Sequence, residues 1–219
     1  MPRRLPRLDG DFTREVLTAQ AYVMHIEQSR AQTAGIRSSV ITITDLEFSY
    51  ELAFLRIFLG WEIFLENALS RLICGYYHSG GQEPLATGMR YHARIVDAEI
   101  AILGGRNYRL WHNPNDVIGY ARRVLHRSRY ELVIASAFAR LEHFAAIRHR
   151  IAHSQQHAKR QFDVATMALV VIFRQMIPYR AGEMLQSAAA NGNPSGTICL
   201  NMTTSWETVS RLPTRPVPA

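Results

Sequence analysis

The chain is poor in cysteine: Cys74 and Cys199 are the only two in 219 residues. Two thiols without CxxC spacing build neither a disulfide framework nor a cysteine metal site. They are expected to be reduced, as in a cytoplasmic protein. Long apolar runs are also missing. The longest, residues 165–173, contains Thr166 and is bounded by Asp163 and Arg174, too short to span a bilayer. The first fifteen residues, MPRRLPRLDGDFTRE, contain no apolar stretch of the kind a secretory signal needs. Secreted, disulfide-rich and membrane-spanning classes are set aside, and no membrane partner is expected. No GxGxxG follows a strand, and GxxxxGK[ST], GxSxG and HExxH do not occur. Nucleotide-fold, serine-hydrolase and zinc-peptidase chemistry therefore have no foothold, and no cofactor or metal is expected.

Lysine is nearly absent. Of 25 basic residues only Lys159 is not arginine, and with 18 acidic residues the net charge is +7. GC-rich coding accounts for the arginine preference, so only the net charge bears on function. A basic balance suits a phosphate-rich partner, because each neutralised phosphate releases counterions.

Hydrophobic periodicity reads helical throughout. Phe12, Val16, Ala19, Val23 and Ile26 recur at spacings of three and four, which predicts a helix fading near Gly35. The β-rich stretch 38–44 (SSVITIT) has no partner strand and reads as an extended linker. Thr44-Asp45-Leu46-Glu47 fits a capping box. From there to about Cys74 runs the most apolar helix, with Leu46, Tyr50, Phe54, Ile57, Trp61, Phe64, Leu65, Ala68 and Leu72 on one stripe. Leu55, Phe58, Leu59 and Ile63 widen the apolar arc beyond one face, as in a central helix or one that also meets a second chain.

Residues 75–90, with four Gly and one Pro, read as a loop. A short helix over 91–103 is stopped by Gly104-Gly105. The Asn113-Pro114-Asn115-Asp116 turn opens a helix over 117–125, with Asn115 or Asp116 as N-cap. Longer helices are predicted over 131–152 and 162–187, the latter bent at Pro178. The expected fold is an all-α, antiparallel bundle of four to five core helices in one domain, residues 1–190, followed by a flexible tail, 191–219.

Histidines crowd one segment. His143, His149, His153 and His157 lie within fifteen residues, and between 140 and 160 five cations (Arg140, Arg148, Arg150, Lys159, Arg160) face one acid, Glu142. Three readings stay open. The segment suits a solvated helix end with cations against the dipole. His149 and His153 have the i, i+4 spacing of helical zinc ligands, although no further ligand is evident and the surrounding charge opposes a dication. Phosphodiester chemistry is the third reading, with a histidine moving protons while arginines hold the phosphate. Arg148 and His153, five apart, lie about 140° round an ideal helix. They reach one ligand only if the helix ends or bends, or if a second chain completes the pocket. Ser154-Gln155-Gln156 is a plausible helix end.

Arg148-His149-x-x-x-His153 resembles the R[N/H/D]xxxH form of the Rx4–6H signature of the HEPN superfamily. The run Phe58-Leu59-Gly60-Trp61-Glu62-Ile63-Phe64-Leu65-Glu66 is similar to the WExFLE-type helix of its stand-alone RiboL-PSP-HEPN-like group. The Leu110-Trp111-His112-Asn113-Pro114 turn with Val117-Ile118 resembles a segment between that group's core helices. The resemblance implies a helical bundle that dimerises, placing two Arg/His pairs in one cleft. It implies an RNA-binding protein acting as a metal-independent endoribonuclease of toxin or defence type, with 2′,3′-cyclic phosphate and 5′-OH products. The alternative is a catalytically silent scaffold that binds protein or RNA.

Carried over, Arg148, His153 and His149 are the catalytic candidates, and Arg140, Arg150, Lys159 and Arg160 would contact RNA. An antitoxin or other regulatory protein is a candidate partner. The His-x-Tyr extension of nucleotidyltransferase-paired members is lacking, because Gln155 and Gln156 follow Ser154. Glu62 and Glu66 are read as ion-pair partners of arginines, with Glu62 alternatively orienting a catalytic histidine. Trp61 reads as core. Arg122, Arg123, His126, Arg127 and Arg129 form a second basic run, a solvated face or a secondary guide for RNA.

Overall fold

The computed structural model describes residues 3–33, 41–169 and 181–190. About 72% of these are helical, in eight helices: α1 (Leu8–Gln32), α2 (Ile43–Leu72), α3 (Ile95–Leu103), α4 (Pro114–Val124), α5 (Arg129–Ser136), α6 (Phe138–Ala152), α7 (Gln156–Leu169) and α8 (Ala181–Ala190). Among the described residues the only sheet is a two-stranded hairpin, β1 (Tyr77–His78) with β2 (Gly81–Gln82). The fold is all-α. No helix among the described residues is long and apolar enough to cross a membrane. Cys74 is a half-buried free thiol, and Cys199 lies outside the described residues, as does the stretch expected to form a flexible tail.

The described residues fall into two compact units, 11–61 with 139–190 and 3–10 with 62–138. In the first, α1 buries Phe12, Val16, Ala19 and Val23, four residues of the expected stripe. All nine stripe residues of α2 are buried as well, Leu46 to Trp61 in this unit and Phe64 to Leu72 in the other. Phe12 tilts against Trp61 at 5.8 Å, and Phe54 meets Phe144 of α6 edge-on at 6.4 Å. Arg56 pairs with Glu15 at 2.8 Å, and the Tyr50 hydroxyl donates to Glu27. Ala158, Phe162 and Ala165 are the buried face of α7. Backbone approaches backbone where α8 begins: the Gly182 N–H donates to Glu51 Oε1 at 2.9 Å, and a Cβ on Gly182 would sit 2.3 Å from the Glu47 carbonyl oxygen.

The second unit buries Ala68, Leu69 and Leu72 of α2 with Ala98, Ile102, Ala121, Tyr130 and Ile134. The Tyr130 hydroxyl, fully buried, donates to the Leu65 carbonyl at 3.0 Å. Loop 75–90 contains the hairpin and is tied down at several points. Glu83, only 4% exposed, accepts the Arg129 N–H on both oxygens, at 3.1 and 3.2 Å. His78 Nδ1 accepts from Gly80 N–H at 2.9 Å, so Nε2 carries the proton it shares with Glu83 at 2.8 Å. Residues 84 and 86 pair with His126 and Val124 through backbone bonds of 2.8 and 3.0 Å.

Several expected boundaries move. The capping box at α2 is Thr42–Asp45 rather than Thr44–Glu47. Thr42 Oγ1 accepts the Asp45 N–H at 3.2 Å, and Asp45 Oδ2 accepts the Thr42 N–H at 2.8 Å. Ile43 and Thr44 are thereby helical rather than extended, and residues 34–40 lie outside the described set. The single helix expected over 131–152 is two, separated by Ala137 with φ −99° and ψ 6°. Ser136 Oγ donates to the Val133 carbonyl at 2.8 Å there, competing with the helical ladder. The short helix before Gly104 starts at Ile95, and α4 starts at Pro114 with Asn113 as its cap. The helix expected over 162–187 is described as α7, starting at Gln156, and α8, with Pro178 outside the described residues.

Candidate functional site

The basic histidine segment occupies the end of α6 and the start of α7, in the unit that contains 139–190. Ile147, Phe144 and Leu141 are the buried face of α6. That anchor turns Arg148, His149 and Arg150 into partly covered positions at the rim. Helix α6 stops at Ala152, before Ser154 as the sequence predicts, and residues 153–155 are not helical. His153 is exposed just past the last turn, its N–H still given to the His149 carbonyl at 2.9 Å. The two imidazoles lie 4.6 Å apart between centroids, tilted by 53°. Arg140 and Arg160 are exposed, and Lys159 is half-buried. Arg140, Arg148, Arg150 and Arg160 form no ion pair with another described residue. Of these, Arg148 and Arg150 lie near the end of α6, where unneutralised guanidinium groups offer forked donors to a phosphate. Among the described residues no group of three or more His, Cys, Asp or Glu is placed to hold a metal.

Glu62 and Glu66 have other partners than the arginines anticipated for them. Glu62 Oε1 lies 3.2 Å from His112 Nδ1, in the loop before α4. The oxygen is buried without an aligned hydrogen bond. Glu66 is bonded by Trp111. Burial, and then the Glu99 carboxylate, push Glu66 above the ordinary carboxylate value, while the Trp111 bond pulls the other way. In the second basic run, Arg122 pairs with Glu131 at 2.6 Å and the Arg129 backbone is held by Glu83. Trp61 is core, 4% exposed.

Sequence reasoning did not find a cleft of about 550 Å³ formed by the loop after α3 and one side of α4. Gly104 and Gly105 turn the chain with φ 56° and 78°, conformations that favour glycine. The following Arg106-Asn107-Tyr108-Arg109 lines the cleft with Trp111, Tyr120 and Arg123. Arg109 donates to the Ile102 carbonyl at 2.7 Å and lies 4.7 Å over the Tyr120 ring. Tyr108 is 70% exposed. The alternation of Arg and aromatic residues over 106–111, straight after a glycine pair, was the signal available in the sequence. Compared with known protein families, curated proteins and solved structures, the chain matches none.

Proposed function

We propose that this protein is an HEPN-like, RNA-binding endoribonuclease that works without a metal and as a homodimer, in the manner of toxin or defence effectors. The observation that carries the reading is the α6 terminus. Arg148 sits just before the last turn of α6, His153 lies just past the helix end against His149, and no described anion neutralises the arginines around them. The helix ending at Ala152 meets one of the conditions under which Arg148 and His153 can serve one ligand.

In this reading the ribose 2′-hydroxyl attacks the adjacent phosphorus, and the bond to the 5′-oxygen breaks. Imidazole at His153 moves the protons, from the 2′-OH or to the departing 5′-oxygen. Arg148 holds the phosphoryl oxygens and the charge they gain in the transition state. His149, packed on His153, sets that ring's orientation. Arg140, Arg150, Lys159 and Arg160 extend the contact along the RNA backbone. Phe48, Leu52 and Leu59 of α2 are 57%, 41% and 56% exposed, an apolar ridge that supports a second copy as partner.

The test is RNA cleavage in EDTA by the purified chain. Cleavage should leave cyclic phosphate ends. His153→Ala should lose about 10²–10⁴-fold in rate with RNA affinity nearly intact, and Arg148→Lys should lose turnover more than binding, because it keeps charge but not the fork. RNA left intact by the wild-type chain, or cut equally by His153→Ala, refutes the nuclease. Binding that persists without cleavage favours the silent scaffold.

A further inference from the structure

The cleft after α3 carries an arrangement that the α6 terminus does not explain. Three arginines line it against one carboxylate, Asp116. Asp116 accepts from Asn113 at 2.9 Å, which spends part of its hydrogen-bonding capacity within the cap of α4. Arg109 is committed, its Nε given to the Ile102 carbonyl and its plane laid over Tyr120. Gly104 makes room for that guanidinium, since a Cβ there would lie 3.0 Å from Arg109 Nη2. Arg106 and Arg123 are exposed and pair with no described anion.

Tyr108 is the second unusual feature. An aromatic ring that is 70% exposed at the rim of a cleft lined by three arginines gains little by folding. Flat exposed aromatics among arginines are what nucleobases stack on, and the stack tolerates any base. A forked guanidinium on either side suits the phosphate attached to such a base. Asn107 and Asn115, also lining the cleft, carry amide donors and acceptors of the kind that read a base edge. The volume, about 550 Å³, is that of a small-ligand site. A simple carboxylate or an acidic peptide would use the arginines and leave Tyr108 idle.

We infer that this cleft binds a nucleoside phosphate, with the base on Tyr108 and the phosphate between Arg106 and Arg123, Arg109 serving as a positioning residue. The same chemistry is presented by a free mononucleotide and by one residue of single-stranded RNA. The inference does not rest on the nuclease reading: the cleft lies in the unit of 62–138, apart from Arg148 and His153 in sequence and in unit.

Two probes test it on the full chain. Adenosine 5′-monophosphate is titrated by calorimetry, and a short fluorescein-labelled 2′-O-methyl oligouridylate, which has no attacking 2′-hydroxyl, by anisotropy. At least one should bind the wild type, the mononucleotide identifying a free nucleotide and the oligomer alone identifying RNA. Tyr108→Ala should weaken that binding about tenfold or more, and Tyr108→Phe, which keeps the stacking face, by no more than about threefold. Arg106→Gln/Arg123→Gln should weaken it further and, for the oligomer, lower the slope of log K against log salt by about 0.7 for each phosphate no longer neutralised. Leu17→Ala, at an exposed position of α1 outside both sites, should leave both affinities unchanged, and RNA cleavage scored on the same variants separates failure here from failure of the nuclease. Since both arginines and the tyrosine are exposed, all variants should melt with the wild type. No binding of either probe at millimolar concentration, or unchanged binding by Tyr108→Ala and the double arginine variant, overturns the inference.

Discussion

Replacing Gly182 by alanine adds one methyl group where α8 has no room for it. The new Cβ would stand 2.3 Å from the Glu47 carbonyl oxygen and 2.7 Å from its carbon. These are backbone atoms in the first turns of α2, so they cannot swing aside like the end of a side chain. Relief requires α8 to move off by about 0.7 Å at the least, which strains the 2.9 Å bond from Gly182 N–H to Glu51 Oε1. Overpacking of this kind costs about 1–3 kcal/mol, and loss of a bond to a charged acceptor about 1.5–3 kcal/mol more. Against this, alanine is the better helix former by about 1 kcal/mol. The net is a destabilisation of about 1.5–5 kcal/mol. At about 2–4 °C per kcal/mol for a chain of this size, Tm should fall by about 3–20 °C.

Gly119→Ala is the matched control. That glycine lies inside α4 and its Cβ would meet nothing within 4 Å, so helix propensity alone should raise stability by about 0.5–1 kcal/mol. Both variants are melted in parallel by circular dichroism at 222 nm, the helix band. If Gly182→Ala matches or exceeds the wild-type Tm, α8 does not approach α2 as closely as described.

Other expectations concern the unit of 62–138 and the start of α2. Ser128 Oγ, fully buried, accepts the Glu131 N–H at 3.1 Å, and Ser128→Ala should cost about 1 kcal/mol in denaturant titration. Glu66 is held above its ordinary value of 4.5 chiefly by burial, so the folded chain binds that proton more tightly than the unfolded one. Stability should therefore drop as pH rises through the raised value. Glu66→Gln should exceed the wild type in Tm at neutral pH and converge with it in acid; a constant gap across pH would refute the assignment. Asp45 is lowered from 3.8 by the bonds it accepts from Thr42. The cost of Thr42→Val should accordingly be present at neutral pH and shrink as pH falls through the lowered value.

What the sequence revealed was mostly periodicity. Phe12, Val16, Ala19 and Val23, and the nine-residue stripe of α2, could be read because burial alone sets a 3.6-residue pattern. The same pattern could not say that Phe58 turns inward while Leu59 and Ile63 stay half exposed. The break at Ala137 was hidden because alanine is the best helix former, and it is the neighbouring Ser136 hydroxyl that diverts a carbonyl. The expected Thr44–Glu47 box was displaced by two residues because Asp45, and not Glu47, accepts the Thr42 N–H. Arg148 and His153 stood out because they are close in sequence and the helix end between them was signalled by Ser154. Glu62 meeting His112, and the cleft beside Tyr108, depend on how a loop returns to a helix, which no short motif encodes.

The anchoring of Glu83 changes what loop 75–90 means to a protease. With four glycines it has the composition of a nicking site, but scission demands that a stretch of backbone leave its seat and enter an extended groove. Here that departure would strip the carboxylate from the Arg129 N–H and His78 and unzip the pairing with Val124 and His126. Cutting should therefore be gated by a shared opening event, with its rate proportional to how often the segment near 83 and the α4–α5 junction part together. Amide exchange at Arg129, forty-six positions away along the chain, should be slowed by the same free energy. The loop works as a clasp, and its susceptibility to a broad-specificity protease such as subtilisin is a gauge of how firmly that clasp is shut.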